Sequence, residues 1–444
     1  MKLHPYHRAI IEANEAAGRP YFHQLSPVDA RELLRAGLAA APAALDLPEL
    51  EAVENTSIEG PAGSIPLRIY TPAGAVLGTC VFFHAGGWVI GDLDLCDATC
   101  RRLAGWASCR IVSVDYRTAP EHPFPQPLED CWTALKWADR EYSGGLIVAG
   151  ESAGGNLAAV CALRARDAGS PDLVGQLLAY PVVDHDFETM SYREVGARNW
   201  LLSTADMRWF WDHYCLDGVD RSGPEISPLR VETTAGLAPA MILVGELDPL
   251  RDEGLAYGRR LAEGGVPVTM RFDASMVHGY LAAAASVPIA KEALSEAARW
   301  IHARLKADVE TQSTETNGGA ILDRFYGALS CGDLGAALDC LTPDACIWHC
   351  FDGIAQDRDQ SLTAWQALIA AFPEREFVDA KRQAIDGGYV QQHVMKGRRM
   401  SGDWIAWPIC LVVKVRGDRI ARIDEYIDRA GAFDLITIKA ATSP

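Results

Sequence analysis

The chain lacks the positive charge that an anionic partner would require. Its 444 residues carry 41 Lys and Arg against 59 Asp and Glu, a formal net charge of −18. That sign repels phosphate backbones and anionic lipid surfaces, so neither nucleic acid nor a membrane is an expected partner. No stretch reaches the roughly 18 uncharged apolar residues of a membrane span. The opening residues Met1 to Tyr6 lead into mixed polar sequence, without the apolar core of a signal peptide, so a cytoplasmic location is expected. None of the 12 cysteines forms a Cys-x-x-Cys pair, which leaves reduced, small, buried side chains as their expected state. One cluster raises a metal question: Cys346, His349 and Cys350, with Cys340 nearby. It lacks the tight ligand pairs of structural zinc sites, and no metal is expected. Internal repeats are also missing.

What is present is ample apolar material. Hydrophobic residues make up 49% of the chain, enough for full cores, and the length suggests two or three domains at roughly 100–200 residues each. Residues 307–319 are almost entirely polar or small and read as a linker between a first domain at 1–306 and a second at 320–444. In the first, short apolar runs at 79–83, 111–115, 146–149, 177–180 and 241–244 alternate with helical patterns such as 127–138 and 155–166. Buried runs alternating with helices imply an α/β domain with a mostly parallel sheet covered on both faces. In the second, helical patterns at 320–329, 334–341 and 362–372 precede strand-like runs at 377–385, 389–396, 404–415 and 419–427. That order indicates an α+β domain with an antiparallel sheet. Asp386-Gly387-Gly388 and Arg416-Gly417-Asp418 suit its hairpins.

Gly150-Glu151-Ser152-Ala153-Gly154 follows the apolar run 146–149 and opens an alanine-rich helical stretch. A Gly-x-Ser-x-Gly pentapeptide between strand and helix has the setting of a nucleophile elbow; outside that setting it would be an ordinary glycine-rich turn. A serine hydroxyl needs a base to take its proton, and the base needs an acid to orient it. Asp248, just past the run 241–244, and His278, shortly after 268–272, lie where strands end and loops begin. Asp252 is the rival for the acid. An ester hydrolase also needs donors for the oxyanion. The loop His84-Ala85-Gly86-Gly87-Trp88 after the run 79–83 suits that need, because its glycines leave backbone N–H groups unobstructed, and the N–H of Ala153 would add another.

These blocks together resemble the hormone-sensitive lipase family of esterases. The matching segments are His84 to Trp88, Asp115-Tyr116-Arg117-Thr118-Ala119-Pro120-Glu121-His122-Pro123-Phe124-Pro125, Gly150 to Asn156, Asp248-Pro249-Leu250-Arg251-Asp252 and His278-Gly279-Tyr280. Over residues 1–306 the resemblance implies an α/β-hydrolase fold. It implies Ser152 as nucleophile, Asp248 as acid, His278 as base, and Gly86, Gly87 and Ala153 as the oxyanion hole. A helical cap from about residues 1–50 and 185–225 is implied too, with Trp200, Trp209, Phe210 and Trp211 as aromatic candidates to hold it or to line an acyl pocket. Three residues depart from the family pattern: Ala85 for its first glycine, Glu151 for Asp, and Tyr280 for Phe.

Past the linker, the opening helix Ile321 to Tyr326, the pair Trp348-His349 and the ending Gly417 to Asp428 resemble the nuclear transport factor 2-like fold, in its polyketide-cyclase and ketosteroid-isomerase-like branch. The resemblance implies a cone-shaped α+β domain with a cavity, and candidate cavity residues Tyr326, His349, Asp352, His393, Trp404 and Glu425. Domains of this type commonly pair, so a homodimer is expected. The resulting expectation is a cofactor-free carboxylic ester hydrolase for small to medium acyl esters. The alternatives are a bifunctional enzyme whose second domain isomerises or cyclises a ketone, and a non-catalytic binding or scaffold protein.

Overall fold

A computed structural model describes residues 2–40, 47–198, 200–350, 353–385, 387–399 and 401–427, with the side chains of all but 310–318 and 384 among them. The chain divides into two compact units, Met1–Val309 and Glu310–Pro444.

The first unit is built on eight strands: β1 (Leu50–Gly60), β2 (Gly63–Pro72), β3 (Gly78–Phe83), β4 (Arg110–Val114), β5 (Gly145–Glu151), β6 (Leu173–Ala179), β7 (Ala240–Leu247) and β8 (Val268–Val277). They lie in the order β1-β2-β4-β3-β5-β6-β7-β8. Strands β3 to β8 pair in parallel, while β1 pairs antiparallel with β2 and β2 antiparallel with β4. Every residue of β3 and β5 is buried. That follows from helices on both faces, which leave a parallel strand no polar side. Alternation along β3 sends Val81 and Phe83 into one core and Cys80 and Phe82 into the other.

The helices of this unit are α1 (Pro5–Ala16), α2 (Pro27–Ala40), α3 (Asp97–Ala107), α4 (Gln126–Glu141), α5 (Ala153–Ala168), α6 (Met190–Glu194), α7 (Thr204–Tyr214), α8 (Arg251–Glu263) and the start of α9 (Pro288–Cys331). Leu128 and Leu135 of α4 and Leu157 of α5 fill the first core; Leu103 of α3 and Leu294, Ile301 and Leu305 of α9 fill the second. The implied cap regions contain α1, α2, α6 and α7, while 41–46 and 199 lie outside the described residues. Trp211 of α7 is fully buried and meets Trp88 edge-on at 5.0 Å, and Tyr214 stacks on Trp88 at 4.2 Å, so these aromatics join α7 to the body.

The polar segment read as a linker is helical, since α9 runs through it. It contains no proline, the residue that would remove a backbone donor and break the helix. In the second unit α10 (Leu334–Asp339) and α11 (Arg358–Ala371) accompany β9 (Leu341–His349), β10 (Ala355–Gln356), β11 (Glu374–Ile385), β12 (Gly388–Arg398), β13 (Trp404–Arg416) and β14 (Arg419–Ile427). The sheet order is β10-β9-β14-β13-β12-β11. Two features correct the sequence reading. Strand β9 precedes α11, so the helices do not all come first, and β9 pairs with β14 in parallel, so the sheet is mixed. The hairpin turns stand where read, with Gly387 (φ 69°) and Gly417 (φ 64°) in the left-handed region; Asp386 lies outside the described residues. No helix among the described residues is long and apolar enough to cross a membrane.

The close approach of α5 to β3 rests on Gly154. A Cβ there would lie 2.1 Å from the Phe83 carbonyl oxygen and 2.5 Å from that of His84, both rigid backbone. Gly154→Ala is therefore expected to destabilise the first unit by about 1–3 kcal/mol, read as a lower Tm by circular dichroism. An unchanged Tm would contradict this packing.

Candidate active site

Three side chains meet at the carboxyl ends of parallel strands, where such sheets hold their ligands. Ser152 follows β5, Asp248 follows β7 and His278 follows β8. The Ser152 Oγ lies 2.9 Å from His278 Nε2, and His278 Nδ1 lies 2.8 Å from Asp248 Oδ2. Asp248 is fully buried, and its Oδ1 accepts the Leu250 N–H at 2.8 Å, which fixes the carboxylate. The ring of Tyr180 stands edge-on to the His278 imidazole at 4.9 Å. The rival acid points elsewhere. Asp252 Oδ2 accepts the Ser191 N–H at 2.8 Å and Oδ1 accepts from Arg251 Nε at 2.8 Å.

Ser152 sits at φ 55°, ψ −117°, a conformation rare for any residue with a Cβ. Its N–H donates to Ala179 O at 2.9 Å, and its carbonyl accepts from the N–H groups of Asn156 and Val182. Ala153 opens α5 directly behind it. Across the site, Gly86 and Gly87 have φ 117° and 57°. A Cβ on Gly86 would lie 1.8 Å from Ile90 O, and one on Gly87 would lie 2.2 Å from the Phe210 ring of α7, so the loop admits no larger residue at either position. Trp209 and Trp200 are half-buried; Trp209 meets Phe210 edge-on at 5.1 Å. Two buried titratable groups flank the site. Burial pushes the Glu151 carboxyl above its ordinary value. Burial also lowers the His84 imidazole to about 4, so this ring stays neutral, stacked on Tyr116 at 4.1 Å.

In the second unit, a cavity of about 430 Å³ is lined by Tyr326, His349 and Glu425 among mainly apolar walls. His349 Nδ1 and Glu425 Oε2 are 2.6 Å apart. Three other candidates fare differently. His393 is buried beside the Tyr326 ring at 4.7 Å but does not line this cavity. Trp404 is 42% exposed, which corrects its assignment to the cavity. Strand alternation puts Ile405, Trp407 and Ile409 on the opposite face from it, and Trp407 takes the lining position. Asp352 lies outside the described residues. The cysteines around His349 point elsewhere: Cys350 Sγ donates to Ile427 O, and Cys340 Sγ to Ala336 O.

The family model of the alpha/beta hydrolase fold matches residues 80–282, and that of the SnoaL-like domain matches residues 322–423. The esterase LipI of Mycobacterium tuberculosis is 43% identical over 61% of this chain and 87% of its own length. The carboxylic ester hydrolase LipN of the same organism is 42% identical over 56% of this chain and 69% of its own. The crystal structure of a thermostable esterase from Pseudomonas putida superposes with a TM-score of 0.65 at 36% identity, covering 68% of this chain and 98% of that one. The chain belongs to the α/β-hydrolase family, in its hormone-sensitive lipase-like branch. In this hydrolase, a SnoaL-like domain follows the hydrolase unit.

The departures from the family pattern now have positions. The Ala85 carbonyl accepts from His84 Nδ1 at 2.6 Å, so that residue fixes the loop through its backbone. The Tyr280 hydroxyl donates to Asp273 Oδ2 at 2.5 Å. One contributor escaped the sequence reading. Arg31 of α2 donates through Nε to Val89 O at 2.8 Å and through Nη2 to Ala119 O at 2.7 Å, tying α2 to the glycine loop. It also donates to the Glu121 carboxylate, so its acceptors are all distant in sequence and nothing around Arg31 itself marks it.

The backbone of Ser152 generates a stability prediction. Alanine and glycine both remove the hydroxyl, but only glycine accepts φ 55° without strain. Ser152→Gly is expected to melt above Ser152→Ala, by about 1 kcal/mol or more, in differential scanning calorimetry. The ordinary order, with glycine the less stable, would contradict a strained turn.

Proposed function

We propose that this hydrolase is a carboxylic ester hydrolase for small to medium acyl esters, working through an acyl-enzyme on Ser152. The observation that carries the reading is the unbroken chain from Ser152 Oγ through His278 to Asp248, at 2.9 and 2.8 Å. His278 Nε2 takes the hydroxyl proton as Oγ attacks the ester carbonyl carbon. Negative charge then develops on the carbonyl oxygen, and the N–H groups of Gly86, Gly87 and Ala153 stabilise it. Collapse of this intermediate breaks the bond to the alcohol oxygen, which leaves with the proton held by His278. Water attacks the acyl carbon in the second half, again losing its proton to His278, and Ser152 is released. Asp248 keeps the imidazole in the tautomer that accepts at Nε2 and stabilises the imidazolium.

Kinetics of four variants on a p-nitrophenyl ester test these roles. Ser152→Ala and His278→Ala should each lose nearly all turnover. Asp248→Asn should fall by orders of magnitude because the imidazole loses its orientation. Asp252→Asn should change it no more than a few-fold, since that carboxylate serves Ser191 and Arg251. A larger loss at Asp252 than at Asp248 would overturn the acid assignment.

The same proposal treats residues 1–306 and 320–444 as separate working units joined through 307–319, in a cytoplasmic homodimer. A chain ending at Val309 is expected to keep turnover of small esters. If it proves folded but inactive, the second unit belongs to the esterase machinery itself.

A further inference from the structure

The second unit contains a cavity of its own. Its walls are largely aromatic and aliphatic, with Phe325, Trp365, Phe372, Phe377 and Trp407 among them. Its volume of about 430 Å³ falls within the range of small-molecule pockets. Polar groups are few: besides Gln356 of β10 there are three. Glu425 of β14 and His349 of β9 are direct partners in the parallel strand register and face the cavity side by side. Their side chains are only 15% and 11% exposed, and the 2.6 Å contact locks them together. Tyr326 of α9 adds a third polar group and is itself buried. Burial, with the Glu425 charge next in effect, pushes the Tyr326 phenol well above its ordinary value, so it stays a neutral hydroxyl.

A ligand that fits must cover a broad apolar surface and satisfy one small polar patch. We propose that this cavity is a binding site for neutral aromatic alcohols that discriminates against aromatic carboxylates. A hydroxyl can donate to the Glu425–His349 pair or accept from Tyr326, and it gives up little hydration on entering. A carboxylate would have to shed its water among apolar walls, beside a carboxylate that already shares the one imidazole. Hydrolysis of an aryl ester releases a phenol and a carboxylate, so the site would retain the alcohol and refuse the acid. That last link rests on the esterase reading; the selectivity does not, and it is measurable without turnover.

Isothermal titration calorimetry of the full chain with 2-naphthol and with 2-naphthoate, at neutral pH, tests it. The expected result is one 2-naphthol per chain, bound at least tenfold more tightly than 2-naphthoate. Glu425→Gln should reduce that preference several-fold. Ala364 of α11 is half-buried at the cavity wall, so Ala364→Trp can fill the space without displacing a packed core. It should weaken 2-naphthol binding at least tenfold, with the fold checked by its Tm. No binding of 2-naphthol, equal or tighter binding of 2-naphthoate, or 2-naphthol affinity unchanged by Ala364→Trp would each overturn the proposal.

Discussion

The chemistry proposed for the first unit depends on one backbone conformation. Ser152 is held at φ 55°, ψ −117° between β5 and α5, where a side chain is strained by about 1–3 kcal/mol. Neighbouring contacts hold it there. Its N–H is bound to the end of β6 and its carbonyl is bound by two N–H groups. Gly150 and Gly154 make the turn possible, since a Cβ on Gly150 would fall 2.1 Å from Gly154 O. Asn156, one turn into α5, is fully buried and donates to Val182 O and Ile226 O at 3.0 and 2.8 Å, which secures the loop past β6. Strain at Ser152 is thus offset by hydrogen bonds and packing around it.

The other parts of the site are arranged about that point. Parallel strands end at one edge, so β7 and β8 deliver Asp248 and His278 to Ser152 although 96 and 126 positions separate them from it in sequence. The glycine loop reaches the same edge from β3, held by Arg31 from one side and by the Phe210 ring from another. Ser152 is only 5% exposed. Its low exposure would place the proposed reaction in a medium where oriented amides stabilise charge more strongly than in water.

The elbow was legible because its needs are local: a strand, two glycines and a helix within a few residues of Ser152. The choice between Asp248 and Asp252 was less so, since both follow β7 and only their hydrogen-bond partners separate them. Strand β1 escaped because its residues are mostly polar and largely exposed at the sheet edge, leaving no apolar run to read. Strand β9 escaped because Pro343 interrupts it and its pairing with β14 comes from far along the chain. Trp404 was misassigned to the cavity by residue type, although alternation with Ile405 and Ile409 already pointed to Trp407. The fit of α9 through a polar stretch shows that low hydrophobicity removes a reason to pack, not the ability to form a helix.

Trapping the covalent intermediate tests the central claim most directly. The full-length protein would be mixed with p-nitrophenyl acetate, quenched in acid during turnover, and its peptides mapped by mass spectrometry. A single acetyl group on the peptide carrying Ser152, accumulating in the His278→Ala variant far more slowly than in the wild type, is the predicted result. Turnover with no acyl adduct at Ser152, or with an adduct on another residue that decays at the turnover rate, would contradict it.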